Sequence, residues 1–168
     1  MSGKKIIAIV QARMGSARLP GKVLKEVNGK PLIEILFHRL PHSKKIDKII
    51  LATSNSKEND HLAKIVEKLG FEVFRGSEDD VLDRYYEAAK PYSPEAVVRI
   101  TGDCPIIDPQ LVDEIIGLYQ ENNVDYVSNT SPPTYPYGLD TEVFSFKALE
   151  AALNRRKNLL KGSMWCPF

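Results

Sequence analysis

The sequence predicts a three-layer α/β/α domain on a mostly parallel sheet, and three observations carry that prediction. Strand and helix patterns alternate along the whole chain. The strand runs are continuously apolar, as strands covered on both faces are. Gly, Pro, Asp and Ser punctuate nearly every junction. Ile6 to Val10 reads as a fully buried first strand. Pro31 then opens a helix with Leu32, Ile35, Leu36 and Leu40 on one face. Ile46 to Ala52 gives a second strand. Leu62, Ile65, Val66 and Leu69 fall at helical spacing, and Gly70 stops that helix. Phe71 to Phe74 is a short third strand. Ser77 with Asp80 forms a capping pair for a helix carrying Val81, Leu82, Tyr85, Tyr86 and Ala89. Ala96 to Ile100 is the fourth strand, closed by Thr101-Gly102-Asp103. Asp108 as N-cap and Pro109 at the first helical position start a helix that buries Leu111, Val112, Ile115, Ile116 and Tyr119. Tyr126-Val127 is a short strand before a Pro/Tyr-rich loop, 131–137. Val143 to Phe146 is a last strand and Lys147 to Asn154 a last helix.

Composition narrows the function classes. At 168 residues a single domain is expected, large enough to bury roughly two-thirds of its unfolded surface. Lys and Arg number 23 against 22 Asp and Glu, so no global field holds nucleic acid or an anionic membrane. Two cysteines, Cys104 and Cys166, make no disulfide framework. The first apolar run is too short for a signal-peptide core, and none approaches membrane-spanning length. A cytoplasmic protein with no nucleic-acid or membrane partner is expected. His38, His42 and His61 have no zinc or triad spacing.

Chemistry concentrates behind the first strand. Gln11-Ala12-Arg13-Met14-Gly15-Ser16-Ala17-Arg18-Leu19-Pro20-Gly21-Lys22 carries three fixed cations, two glycines and a serine. Such a loop can lay backbone N–H groups and guanidinium forks around a polyphosphate, and on its own it also reads as a solvated turn. It is neither a Walker loop, since Val23 follows the lysine, nor a G-x-G-x-x-G fingerprint. In Thr101-Gly102-Asp103, the glycine lets the chain turn off a buried strand and leaves a carboxylate at the strand tip. Asp103 there can hold Mg²⁺ with nucleotide phosphates and water, or simply bond nearby N–H groups as a turn aspartate. Asp140 and Glu142 lie two apart, so on an extended segment they share a face and could grip sugar hydroxyls or assist a metal, or simply belong to a solvated edge strand. Ligands in such sheets sit over the carboxyl ends of the strands. The 11–22 loop, Thr53-Ser54-Asn55, Arg75-Gly76-Ser77 and Gly102-Asp103 all fall on that rim.

The 11–22 segment resembles the N-terminal signature of the CMP-sugar-acid synthetases, the cytidylyltransferases that activate Kdo and sialic-type acids. Gly102-Asp103-Cys104-Pro105-Ile106-Ile107-Asp108-Pro109 resembles their G-D-x-P stretch. Gly138-Leu139-Asp140-Thr141-Glu142-Val143-Phe144 resembles the spore coat polysaccharide branch. The likeness spans about residues 4–153. It implies a Rossmann-like sheet of the nucleotide-diphospho-sugar transferase type. It also implies CMP transfer from CTP to a sugar acid or related sugar, with Mg²⁺ and release of pyrophosphate. Carried over residue by residue, Arg13, Lys22 and Asp103 become catalytic, with Asp103 the metal ligand. Gln11, Ala12, Arg13, Gly15, Ser16, Arg18, Lys22, Arg75 and Gly102 hold CTP, and Asp140 with Glu142 border the small sugar. Arg84, after Asp83, is a weaker candidate. Relatives commonly form homodimers, so a homodimer is compatible with the resemblance, and the sequence itself leaves the oligomeric state open. A glycosyltransferase of the same broad fold, or a nucleotide-binding homologue without turnover, are the alternatives.

The C-terminus departs from the family. Relatives run further and supply a second metal ligand late in the chain. Residues 1–158 read as the nucleotidyltransferase domain, and Leu159 to Phe168 as an atypical tail. One DNA string encoding L-T-E-R-E-H-V-V-P-F, close to the family's segment there, reads L-L-K-G-S-M-W-C-P-F one base later. A frameshift origin for the tail is therefore expected.

Overall fold

The computed structural model describes residues 5–16 and 19–161, with side chains through residue 156. β1 (Ile6–Gln11) lies at the centre of a six-stranded sheet. β4 (Lys48–Ser54) and β6 (Ala96–Thr101) flank it, both parallel, and β5 (Glu72–Gly76) pairs parallel outside β4. Beyond β6, β8 (Glu142–Ser145) runs antiparallel, and β7 (Tyr126–Ser128) closes that edge antiparallel to β8. The order is β5-β4-β1-β6-β8-β7. The chain leaves β1 toward one edge and returns to β6 on the other side, and that reversal opens a crevice above the ends of both strands.

Alternation along β1 feeds two cores. Ile6, Ala8 and Val10 pack against α1 (Leu32–Arg39), α2 (Asp60–Lys68) and α4 (Pro109–Asn122). Ile7 and Ile9 face α3 (Val81–Ala89) and α5 (Phe146–Lys161). All five side chains are at most 1% exposed, so the expected three-layer architecture holds. α4 forms as expected: Asp108 accepts from the N–H of Gln110 at 2.9 Å and Leu111 at 3.4 Å. Leu111, Val112, Ile115, Ile116 and Tyr119 are buried. The Ser77/Asp80 pair also forms, Asp80 capping Asp83 N–H at 2.8 Å while the Ser77 hydroxyl accepts from Asp80 N–H at 3.1 Å. No helix among the described residues is long and apolar enough to cross a membrane.

Several boundaries move. α1 buries Ile33, Leu36, Phe37 and then Leu40 rather than Leu32 and Ile35. Both stripes are apolar at helical spacing, and the Phe37–Phe71 ring contact at 4.9 Å goes with the one that is buried. β4 starts at Lys48 and continues through Thr53 and Ser54, which are polar yet fully buried. A small hairpin of β2 (Glu26–Val27) and β3 (Lys30–Pro31) was not expected, although its Asn28-Gly29 turn is the signal for one: the φ values of 52° and 74° are the two left-handed positions of a tight hairpin turn. β8 ends at Ser145, since Phe146 already begins α5. α5 runs unbroken past residue 158 to Lys161, and the rest of the atypical tail lies outside the described residues.

Candidate active site

Leaving β1, the chain is tied at both ends of its cationic loop. Met14 donates its N–H to Asn59 Oδ1 at 2.8 Å, and Asn59, fully buried, donates to Ser54 Oγ at 2.7 Å. The Met14 carbonyl accepts from Ser16 N–H at 2.8 Å and from Gly21 N–H at 2.9 Å, closing the loop on itself. Gly21 turns with φ +68°, a conformation that strains any residue with a Cβ. Val23, only 2% exposed, then plugs a short 3₁₀ turn into the core and anchors Lys22 beside it.

At the neighbouring strand end, Gly102 donates its N–H to the Gln11 carbonyl at 2.8 Å. A Cβ on Gly102 would sit 2.6 Å from Ala12 Cβ and 3.0 Å from the Gln11 oxygen. Only glycine lets the two strand ends approach so closely, and that approach brings Asp103 against Lys22, with which it forms an ion pair. Burial alone would raise the Asp103 carboxyl. The hydrogen bond and charge of Lys22, together with the turn's backbone N–H and the Thr101 hydroxyl, outweigh burial, and the carboxyl lies below the usual carboxylate range. Cys104 is buried beneath, in contact with Thr101 Oγ1 at 3.0 Å, and burial pushes its thiol up, as suits an inert core residue.

Between these two ends lies a cleft of about 350 Å³. Gln11, Ala12, Arg13, Ser16, Lys22 and Asp103 line it, so the structure gathers six residues picked from the sequence. Gly102 lies beneath them. Gly15 lies behind the loop, where a Cβ would come within 2.8 Å of Glu58 Oε1. Arg13 reaches into the cleft near Glu78 at 3.7 Å. Among the described residues no group of three or more His, Cys, Asp or Glu gathers to hold a metal. A lone strand-tip carboxylate that stays ionised and already holds a cation, the Lys22 ammonium, still suits Mg²⁺, which commonly takes one or two protein carboxylates and completes its shell with phosphates and water. A broader groove of about 500 Å³ is lined by Lys45, Asp113, Glu114, Gly117, Leu118 and Glu121 and holds none of the residues picked from the sequence. Asp113 there is spent on Ser43 Oγ and on the N–H groups of Lys44 and Lys45.

Other candidates lie elsewhere. Arg75 is not in this cleft: its guanidinium donates to the carbonyls of Ser54 at 3.3 Å and Ser56 at 2.8 Å and pairs with Asp60 at 2.7 Å. Those contacts tie the connection between β4 and α2. Arg18 lies outside the described residues. Asp140 is half-buried and does not line the cleft. Glu142, expected at sugar hydroxyls, is instead the register partner of Arg99 across β6 and β8, forms an ion pair with it, and accepts from the Tyr126 hydroxyl at 3.2 Å. Arg84 is fully buried; it donates to the carbonyls of Ser77 and Glu78, its Nε has no hydrogen-bond partner among the described residues, and burial draws its pKa down.

Sequence reasoning missed three lining residues, Val23, Thr101 and Arg99. Arg99 had a visible signal, a charge between Val98 and Ile100 in a strand otherwise apolar enough to be buried on both faces.

A family model described as cytidylyltransferase matches residues 7–164. An uncharacterized protein of Methanocaldococcus jannaschii is 48% identical over 91% of this chain and 62% of its own length. The spore coat polysaccharide biosynthesis protein SpsF of Bacillus subtilis is 42% identical over 76% of this chain and 55% of its own. The solved structure of a cytidylyltransferase from Leptospira borgpetersenii superposes with a TM-score of 0.85 at 35% identity, covering 90% of this chain and 64% of that one. The chain thus spans less than two thirds of the length of each.

Proposed function

The chain belongs to the cytidylyltransferase family, and from that premise we propose that it transfers CMP from CTP to a hydroxyl of a sugar acid or related sugar, releasing pyrophosphate, in surface or spore coat polysaccharide synthesis. The observation that carries this reading is the Lys22–Asp103 ion pair in a cleft that Arg13 and Ser16 also line. The acceptor oxygen would attack the α-phosphorus in line. One P–O bond forms, the bond to the β-phosphate's bridging oxygen breaks, and the hydroxyl proton leaves to solvent.

Protein work in such a transfer is positioning and charge neutralisation. Arg13, Lys22 and Ser16 would grip the β- and γ-phosphates, with Arg18 added from the same loop. Their donors meet the charge that grows on the departing pyrophosphate. Asp103 would hold Mg²⁺, which when bound neutralises phosphate charge and lowers the attacking hydroxyl's pKa. Lys22 and Asp103 would then exchange each other for phosphate and metal, a swap that leaves no buried charge unpaired.

A pyrophosphate-release assay with each of the four nucleoside triphosphates, Mg²⁺ and a panel of sugar acids tests the reading. Pyrophosphate is expected from CTP alone, and only with an acceptor present. A CTP-dependent rise in melting temperature without pyrophosphate would leave a nucleotide-binding homologue. Neither signal from CTP would refute the assignment.

A further inference from the structure

Nothing in the triphosphate grip uses Arg99, yet it lines the same cleft. It sits inside β6 between Val98 and Ile100, both fully buried, where a fixed charge is costly unless compensated. Compensation comes from one side. Glu142, its partner in the β6–β8 register, forms an ion pair with Nη1. The second carboxylate oxygen of Glu142 accepts from the Tyr126 hydroxyl, and Glu142 does not line the cleft. Tyr85, buried at 3% exposure, also interacts with the guanidinium, and its hydroxyl donates to Gln11 Oε1 at 3.3 Å. The guanidinium is thus held from behind and beside while 36% of the side chain stays accessible.

Its position separates it from the phosphate cations. Arg13 and Lys22 come from the loop that follows β1, whereas Arg99 stands within β6, in register with Ile9 on one side and Glu142 on the other. Arg99 and Thr101 share one face of β6, roughly 7 Å apart along the strand. A guanidinium offers five N–H donors and no acceptor, and its planar fork matches a carboxylate. With both Glu142 oxygens engaged by Arg99 and Tyr126, the group from this pair that lines the cleft is the guanidinium.

We propose that Arg99 is the specificity residue for an acidic acceptor, binding the carboxylate of the incoming sugar acid where its guanidinium lines the cleft, and that Glu142 is the positioning residue that fixes that guanidinium. The inference rests on the cytidylyltransferase reading above. It gives Glu142 a role behind the acceptor rather than on it. It also assigns the two anionic ligands to different elements, the triphosphate to the loop after β1 and the acceptor carboxylate to β6.

The test measures binding, so turnover is not needed. The protein is loaded with Mg²⁺ and the non-reacting analogue α,β-methylene-CTP, then titrated by calorimetry with 3-deoxy-manno-octulosonate and with the matched pair glucuronate and glucose. Wild type is expected to bind at least one acid about tenfold or more above glucose, the scale of a charge-assisted hydrogen bond. Arg99→Gln should bring the acid to within about twofold of glucose while leaving the analogue's affinity within about twofold. Arg99→Lys should recover part of the preference, which a merely structural role would not produce. The proposal is overturned if wild type shows no acid preference, or if Arg99→Gln keeps it. Should wild type fail to bind the analogue at all, the cytidylyltransferase reading falls first, and the inference with it. Melting curves of Arg99→Gln and Arg99→Lys separate a lost contact from a lost fold.

Discussion

Replacing Lys22 with alanine is expected to lower kcat for pyrophosphate release by about 100- to 1000-fold, the loss that follows removal of one preorganised donor to a developing anion. Two effects add in this variant. The departing pyrophosphate loses a cation, and Asp103, half-buried, loses the partner that keeps it ionised. The pH profile separates them. In the wild type the Asp103 carboxyl lies below its ordinary value of about 3.9, so its stabilising share is present above that pH and disappears as pH falls through the folded value. Without Lys22, burial, already the largest single influence on this carboxyl, is opposed only by the turn's own N–H and the Thr101 hydroxyl, and the carboxyl is expected to rise. The acid limb of kcat/KM should therefore move to higher pH in Lys22→Ala. An unmoved acid limb, with kcat within about twofold of wild type, would remove Lys22 from the chemistry.

Gly102→Ala is expected to damage both stability and the site although it adds one methyl group. The new Cβ would lie 2.6 Å from Ala12 Cβ, 3.0 Å from the Gln11 carbonyl and 3.2 Å from Ile33 Cδ1. Two of those neighbours, the Gln11 carbonyl and Ala12 Cβ, have no side-chain freedom to yield, so the ends of β1 and β6 must part. Overpacking of this kind costs about 1–3 kcal/mol, which for a domain of this size lowers Tm by about 2–12 °C. A displacement of about 1 Å between Lys22 and Asp103 would cost about 100-fold in rate. Pairing the change with Ala12→Gly removes the closest contact and should restore part of both losses. A single variant that melts within about 1 °C of wild type would show that the strand ends are not held by this contact.

The fold could be read from the chain because its signals are local. The 3.6-residue stripe and the Asp108-Pro109 cap fix α4, and the apolar run of β1 marks a strand covered on both faces. The phosphate loop and the Asp103 turn were legible for the same reason, since each packs its chemistry into a few consecutive residues. What failed depends on pairing across the chain. Glu142 looked like a sugar ligand because its distance from Asp140 suits one face of a strand. Its actual partner, Arg99, lies 43 residues earlier and is set by the antiparallel register of β8 on β6. Arg75 ends its strand close to where expected, yet its donors go to the carbonyls of Ser54 and Ser56 on the neighbouring strand and loop. Thr53 and Ser54 read as the end of a strand because they are polar. Pairing with Arg75 and Gly76 of β5, full burial, and the bond from Asn59 to Ser54 keep them inside it.

Everything functional depends on one rim, where a cation from the first strand's loop and an acid from the neighbouring strand's tip face each other closely enough to be exchanged for phosphate and metal. Calorimetric titration of CTP, with and without Mg²⁺, into wild type, Lys22→Ala and Asp103→Asn tests this most directly. The account expects tight CTP binding only with Mg²⁺, weakened in both variants, with the Mg²⁺ dependence abolished in Asp103→Asn. Equal CTP affinity in all three proteins, indifferent to Mg²⁺, would contradict it.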